Sequence, residues 1–152
     1  MYHYKESGLP YVYLVNGFQE VNTPNGKGIA IADVEGLHLA IAYAAVTERK
    51  HLTGPEVRFI RKVMDLTQVQ LADLLGVEDQ TVRLWEKRAR VPKTADRAIR
   101  LLFLNMVNGR ATRPKIADIV TATESSPEVS KISLRFKSRA RHEKWGQEAV
   151  AA

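Results

Sequence analysis

The chain has 152 residues, 45% hydrophobic and 26% charged, the make-up of a globular protein with room for one compact domain and a small companion. Cysteine is absent, which excludes disulfides, thiol catalysis and thiolate-bound zinc and fits a reducing, cytoplasmic setting. The net charge of +6 is unevenly spread: residues 53–113 carry 12 Lys and Arg against 7 Asp and Glu, whereas residues 1–52 carry 4 against 5. A basic excess confined to the middle and tail is expected of a surface that faces phosphates. No apolar run approaches the roughly 18 residues of a membrane span, and residues 1–6 lack the layout of a secretory signal.

In chain order, the first 32 residues read as β. Residues 11–15 are β-branched and aromatic and close on Asn16-Gly17, a strong turn pair. Residues 18–21 resume the pattern, residues 23–28 are rich in turn formers, and residues 29–32 form another short apolar run. Together they predict a small antiparallel meander. Tyr2, Tyr4, Tyr11 and Tyr13 alternate at period two and mark one sheet face, either core or a contact surface for a protein partner. Asp33 is placed to cap a helix in which Val34, Leu37, Ile41 and Ala44 or Ala45 share a face. Glu48-Arg49-Lys50 ends that helix and leads into a linker.

Thr53-Gly54-Pro55-Glu56 is a capping box, and it opens a helix to about Met64 with Val57, Ile60 and Met64 on one side. Thr67 and Gln70 repeat the device for a short helix that ends at Leu75, because Gly76 accepts the left-handed geometry of a tight turn. A third helix runs from Asp79 to about Arg88. Leu71, Leu74, Val77, Val82 and Trp85 are spaced to share one core, which is a helix-turn-helix pattern. A further helix is expected from Thr94 to about Val107, another over residues 114–120, a Ser/Glu/Pro-rich break over 123–130, and a strand over 131–136. Residues 137–145 are basic and are expected to be a loosely held tail.

His3, His38, His51 and His142 show no ligand spacing, so neither a metal nor a cofactor is expected, and His38 reads as a packed histidine. No nucleophile–base constellation appears, so no catalytic residue and no enzymatic activity are expected. The fold class is therefore α+β: an N-terminal β-meander with one helix (residues 1–50), an all-α helix-turn-helix domain (51–122), and a C-terminal strand and basic tail (123–152).

Residues 66–88 resemble the lambda-repressor-like (XRE) helix-turn-helix family. The resemblance rests on Thr67-Gln68, Ala72, Leu75-Gly76-Val77, Thr81-Val82 and the Trp85-Glu86 pair, and Arg90-Val91-Pro92 with the helix that follows also fits. The order of segments is similar to that of MqsA-type antitoxins, whose N-terminal domain is held by a cysteine-ligated zinc; without cysteine any such fold here stands without metal. The family implies a transcriptional regulator, a repressor binding a palindromic operator on double-stranded DNA as a homodimer. Its rival is an antitoxin that also neutralises a toxin protein.

With Val82 and Trp85 turned to the core, the third helix presents Gln80, Arg83, Leu84 and Lys87 on its other side, the side that in the family lies in the major groove. Gln80 suits the N6 and N7 edge of adenine, and Arg83 suits guanine or a phosphate. Leu84 suits a thymine methyl or a neighbouring helix. Asp79 either accepts from cytosine N4 or, like Glu78, only stabilises the helix N-terminus. Gln68 matches the family's phosphate-anchoring glutamine, or is a simple capping residue. Thr67, Thr81, Lys87, Arg88, Arg90 and Lys93 complete the expected backbone contacts. The acidic pair Glu78-Asp79 is also the best support for a third reading, a protein-interaction module that retains only the shape of a helix-turn-helix.

Overall fold

A computed structural model describes residues 1–108, 131–139 and 142–147. The helix expected over residues 114–120 and the break over 123–130 lie outside the described residues. The layout is α+β, with strands first, five α-helices among the described residues, and strands again. The strands are β1 (Tyr2–His3), β2 (Val12–Leu14), β3 (Phe18–Thr23), β4 (Gly26–Ile31), β5 (Ile132–Arg139) and β6 (His142–Gln147); the helices are α1 (Val34–Glu48), α2 (Gly54–Val63), α3 (Gln68–Leu75), α4 (Asp79–Glu86) and α5 (Lys93–Asn108).

The meander expected over residues 11–32 does not form as such. Its second half is a hairpin, β3 with β4, closed by Thr23 opposite Gly26. Strand β2 turns elsewhere: it pairs antiparallel with β1 and parallel with β5, giving a four-stranded sheet in the order β1-β2-β5-β6. The reason is burial at period two. Val12 and Leu14 point inward and are fully buried, and their register partners Ile132 and Leu134 are fully buried as well.

Asn16-Gly17, read as a hairpin turn, fastens this sheet instead. The Asn16 side chain accepts from the Phe136 N–H (2.7 Å) and donates to the Phe136 carbonyl (3.1 Å), imitating one rung of a ladder. Gly17 holds φ +76°, and a Cβ there would lie 2.6 Å from the Trp145 ring. The indole lies close against this bare backbone and donates from Nε1 to the Ala32 carbonyl (2.8 Å). Of the segment expected to be loose, residues 137–139 end β5 and residues 142–145 lie in β6, which is anchored by a Trp145 that is only 8% exposed.

The tyrosine row divides. Tyr4 is buried, while Tyr2, Tyr11 and Tyr13 are half-buried, with His3 stacked on Tyr13 at 4.6 Å. Asp33 begins α1 as expected: its Oδ1 accepts from the Gly36 N–H (3.1 Å) and its carbonyl from the Leu37 N–H (2.9 Å). Leu37, Ile41, Ala44 and Ala45 are buried, but Val34, counted on the same face, is 44% exposed. No helix among the described residues is long and apolar enough to cross a membrane.

Contacts group residues 1–41 with the described residues from 131 onward, and residues 42–108 separately. The first division falls after residue 41, within α1, where residue 50 was expected, and β5 joins the N-terminal sheet; the boundary expected at 122 lies outside the described residues. In the helical unit, Val57, Ile60, Leu71, Val82, Ile99, Phe103 and Leu104 are fully buried. Leu74, expected in that core, is 58% exposed. Two ions inside the unit were not foreseen: Arg100 and Asp96 on α5 are 2% and 5% exposed and paired. Arg100 also donates to the Val46 carbonyl at the end of α1 (2.7 Å), and Asp96 accepts from the Leu52 N–H (2.8 Å). Charge that is buried, paired and hydrogen-bonded to backbone fixes how α1, the linker and α5 meet.

Within the sheet unit, the Tyr4 hydroxyl bonds His38 Nε2 at 2.8 Å. Burial pushes the His38 imidazole below the ordinary histidine range and the Tyr4 phenol above its own. A lowered folded value for histidine means that the fold prefers the neutral ring. Stability is therefore fully present above an ordinary histidine value of about 6.5 and declines as pH falls below it. We expect the melting temperature of the sheet unit to fall between about pH 7 and pH 5, and the His38 ring to titrate below about 6.5 in an NMR titration. A midpoint above that value would contradict the assignment.

Candidate nucleic-acid interface

Both capping boxes read from the sequence are formed. Thr53 N–H donates to Glu56 Oε1 (2.9 Å), and Thr67 N–H donates to Gln70 Oε1 (2.9 Å). In return Glu56 N–H donates to Thr53 Oγ1 (3.4 Å) and Gln70 N–H to Thr67 Oγ1 (3.1 Å). The α3 box satisfies the N–H of Gln70 and leaves those of Gln68 and Val69 at the open helix end, where the dipole favours an anion. Gly76 ends α3 at φ +70° with open space around its absent Cβ, so its backbone conformation alone calls for glycine. Val77 N–H then closes on the Ala72 carbonyl (3.0 Å) and turns the chain into α4.

At about 100° per residue, Val82 and Trp85 lie opposite an arc that holds Gln80, Arg83, Leu84 and Lys87. The first two are 0% and 8% exposed, and the other four are exposed, Leu84 to 48%. Asp79 stands at the edge of this arc, one turn from Arg83, and their side chains pair at 3.2 Å. Thr81 lies outside the arc and is half-buried. The sequence thus placed the outward face of α4 in the right phase, with Leu84 left about half exposed on it.

What holds α4 against α2 and α3 is a buried ion pair that the sequence reading passed over. Arg61 donates from Nε to Glu86 Oε2 (2.8 Å) and from Nη2 to Glu86 Oε1 (3.0 Å), a bidentate clasp, and from Nη1 to the Leu66 carbonyl (2.9 Å). The two side chains are 10% and 5% exposed. Glu86 Oε1 also accepts from Gln68 Nε2 at 3.3 Å, so the Gln68 side chain is oriented from within rather than left to solvent. Just beyond this same C-terminal end of α4, Gly54 N–H donates to the Arg88 carbonyl (2.8 Å), and a Cβ on Gly54 would clash with the Glu86 carbonyl oxygen. The Thr-Gly-Pro-Glu order is therefore also a packing requirement.

Beside α4 the three helices leave an open groove of about 680 Å³. It joins Thr67 and Gln68 at the start of α3 to Arg83 and Lys87 on α4, four residues expected to touch DNA. It adds Arg58 and Lys62 from α2, which sequence reasoning missed. Their signal was present: both lie off the Val57-Ile60-Met64 stripe, and both are cationic and exposed. The groove does not take in Gln80, Leu84 or Asp79, which lie on α4 itself, nor Arg88, Arg90 and Lys93, exposed residues around the α4–α5 connection. No group of three or more metal-ligating side chains occurs among the described residues. No family model, curated protein or solved structure matches this chain.

The clasp gives a direct expectation. Removing one member of a buried pair strands the other, at a cost of about 3–5 kcal/mol. Glu86→Ala should lower the stability of the helical unit by that amount in denaturant titration, and a double replacement with Arg61→Met and Glu86→Leu should recover most of it. A loss below about 1 kcal/mol for the single change would mean the pair is solvated like a surface ion pair.

Proposed function

We propose that the protein is a sequence-specific DNA-binding transcriptional regulator, a repressor that occupies a two-fold operator as a dimer. The observation that carries the reading is the outward arc of α4. Gln80, Arg83, Leu84 and Lys87 combine an amide, two cations and an exposed apolar side chain, which suits base edges and a thymine methyl in a major groove better than it suits water. The groove beside it supports the same reading. Arg58, Lys62, Arg83 and Lys87 gather at the N-terminal end of α3, where helix dipole and backbone N–H groups favour a phosphate. Dimerisation follows from information content: one such helix reads only a few base pairs, and paired half-sites multiply that discrimination.

Selection of bound sequences from random duplex DNA tests the reading. A two-fold motif should emerge, and on it Gln80→Ala and Arg83→Ala should each lose about 1–3 kcal/mol while losing much less on random duplex. Lys62→Ala should weaken both duplexes alike and reduce the salt slope by about one phosphate contact. No enriched sequence, or equal losses on both duplexes for Gln80→Ala and Arg83→Ala, would contradict the proposal.

A further inference from the structure

At the edge of the α4 arc Asp79 and Arg83, two side chains expected to meet DNA, are already engaged with each other. Arg83 Nη2 lies 3.2 Å from Asp79 Oδ2, and the two side chains are 51% and 44% exposed. Arg83 has two directions open to it. It lines the groove with Arg58, Lys62 and Lys87, where a backbone phosphate would draw it. Asp79, one turn toward the N-terminus of α4, draws it the other way, along the helix toward the end that in a helix-turn-helix enters the major groove. An exposed ion pair is weak, so it biases the guanidinium without locking it. A carboxylate at that end also repels phosphates, so its presence there opposes general affinity.

Resting on the DNA-binding reading above, we infer that Asp79 is a positioning residue for specificity: through the ion pair it aims Arg83 at the O6 and N7 edge of a guanine and keeps it off the phosphate backbone. Asp79 itself reads no base. Its contribution appears as discrimination and as suppressed binding to random sequence. A purely structural carboxylate at a helix N-terminus would behave differently, because its removal loosens the helix and weakens every duplex together.

The test uses the full chain as wild type, Asp79→Asn, Arg83→Ala and the double variant. Each is titrated over a salt series against the selected operator, the same operator with its Arg83-dependent guanine replaced, and a random duplex. The wild type should prefer guanine by about 5- to 150-fold, the range of one bidentate contact. Asp79→Asn should cut that preference about two- to fivefold, the reach of an exposed ion pair, bind random duplex more tightly, and steepen the salt slope by up to about 0.9 as Arg83 moves toward a phosphate. In the Arg83→Ala background Asp79→Asn should change base preference no further. The inference is overturned if Asp79→Asn keeps the guanine preference, if it weakens all duplexes equally with a lower melting temperature, or if it alters base preference without Arg83. A wild type that binds no duplex at all overturns the DNA-binding reading itself, whereas guanine preference independent of Asp79 overturns the inference alone.

Discussion

The helical unit is organised around the guanidinium of Arg61 and the carboxylate of Glu86. Twenty-five residues apart in sequence, they meet almost without solvent and leave few of their hydrogen-bonding positions idle. Such a pair adds less net stability than its Coulomb energy suggests, because both ions must be stripped of water. What it adds is geometry. Any slip of α4 relative to α2 separates two buried charges, so the alternatives are excluded more than the native arrangement is deepened. Gln68 shares the same carboxylate, and through it the start of α3 is tied to the phase of α4. The groove and the outward arc are thus two consequences of one constraint.

The same logic recurs at Asp96 and Arg100. There the ions are satisfied partly by backbone, at the Val46 carbonyl and the Leu52 N–H, so they anchor the chain that leads into the helical unit. The sheet unit uses another means. Its cohesion comes from apolar side chains at period two, from an Asn16 side chain standing in for a rung of backbone, and from a glycine whose bare Cα admits an indole. The chain holds no cysteine that could add a disulfide to either unit.

How much of this was legible in the sequence depends on the range of the determining interaction. Capping boxes act over three residues and a glycine C-cap over one, so Thr53, Thr67 and Gly76 announced α2 and α3 to within a residue. The phase of α4 followed from two apolar side chains three apart. Leu74 was misplaced because a helix of eight residues offers too few turns to fix its apolar face by spacing alone. The parallel partner of β2 lies about 120 residues away, a distance over which alternation says that a strand wants company without saying whose. Asn16-Gly17 carries the chemistry of a turn, yet its side chain and missing Cβ serve a distant strand. Arg58 and Lys62 looked like ordinary solvated charges until the groove gathered them with Arg83 and Lys87. The Arg61–Glu86 pair was illegible for the same reason, since partners 25 residues apart are only two charges among many; Asp96 and Arg100 stand four apart on α5, and there it was the burial, not the spacing, that the sequence hid.

The central claim is that the α4 arc and the start of α3 form the surface that meets DNA. Backbone amide shifts followed by NMR during titration with the selected operator duplex test it most directly. The account predicts the largest changes at Thr67, Gln68 and Val69 and at Asp79, Gln80, Arg83, Leu84 and Lys87, with residues 1–31 little affected at saturation. Changes concentrated in residues 1–31, with α3 and α4 unmoved while duplex binds, would contradict it.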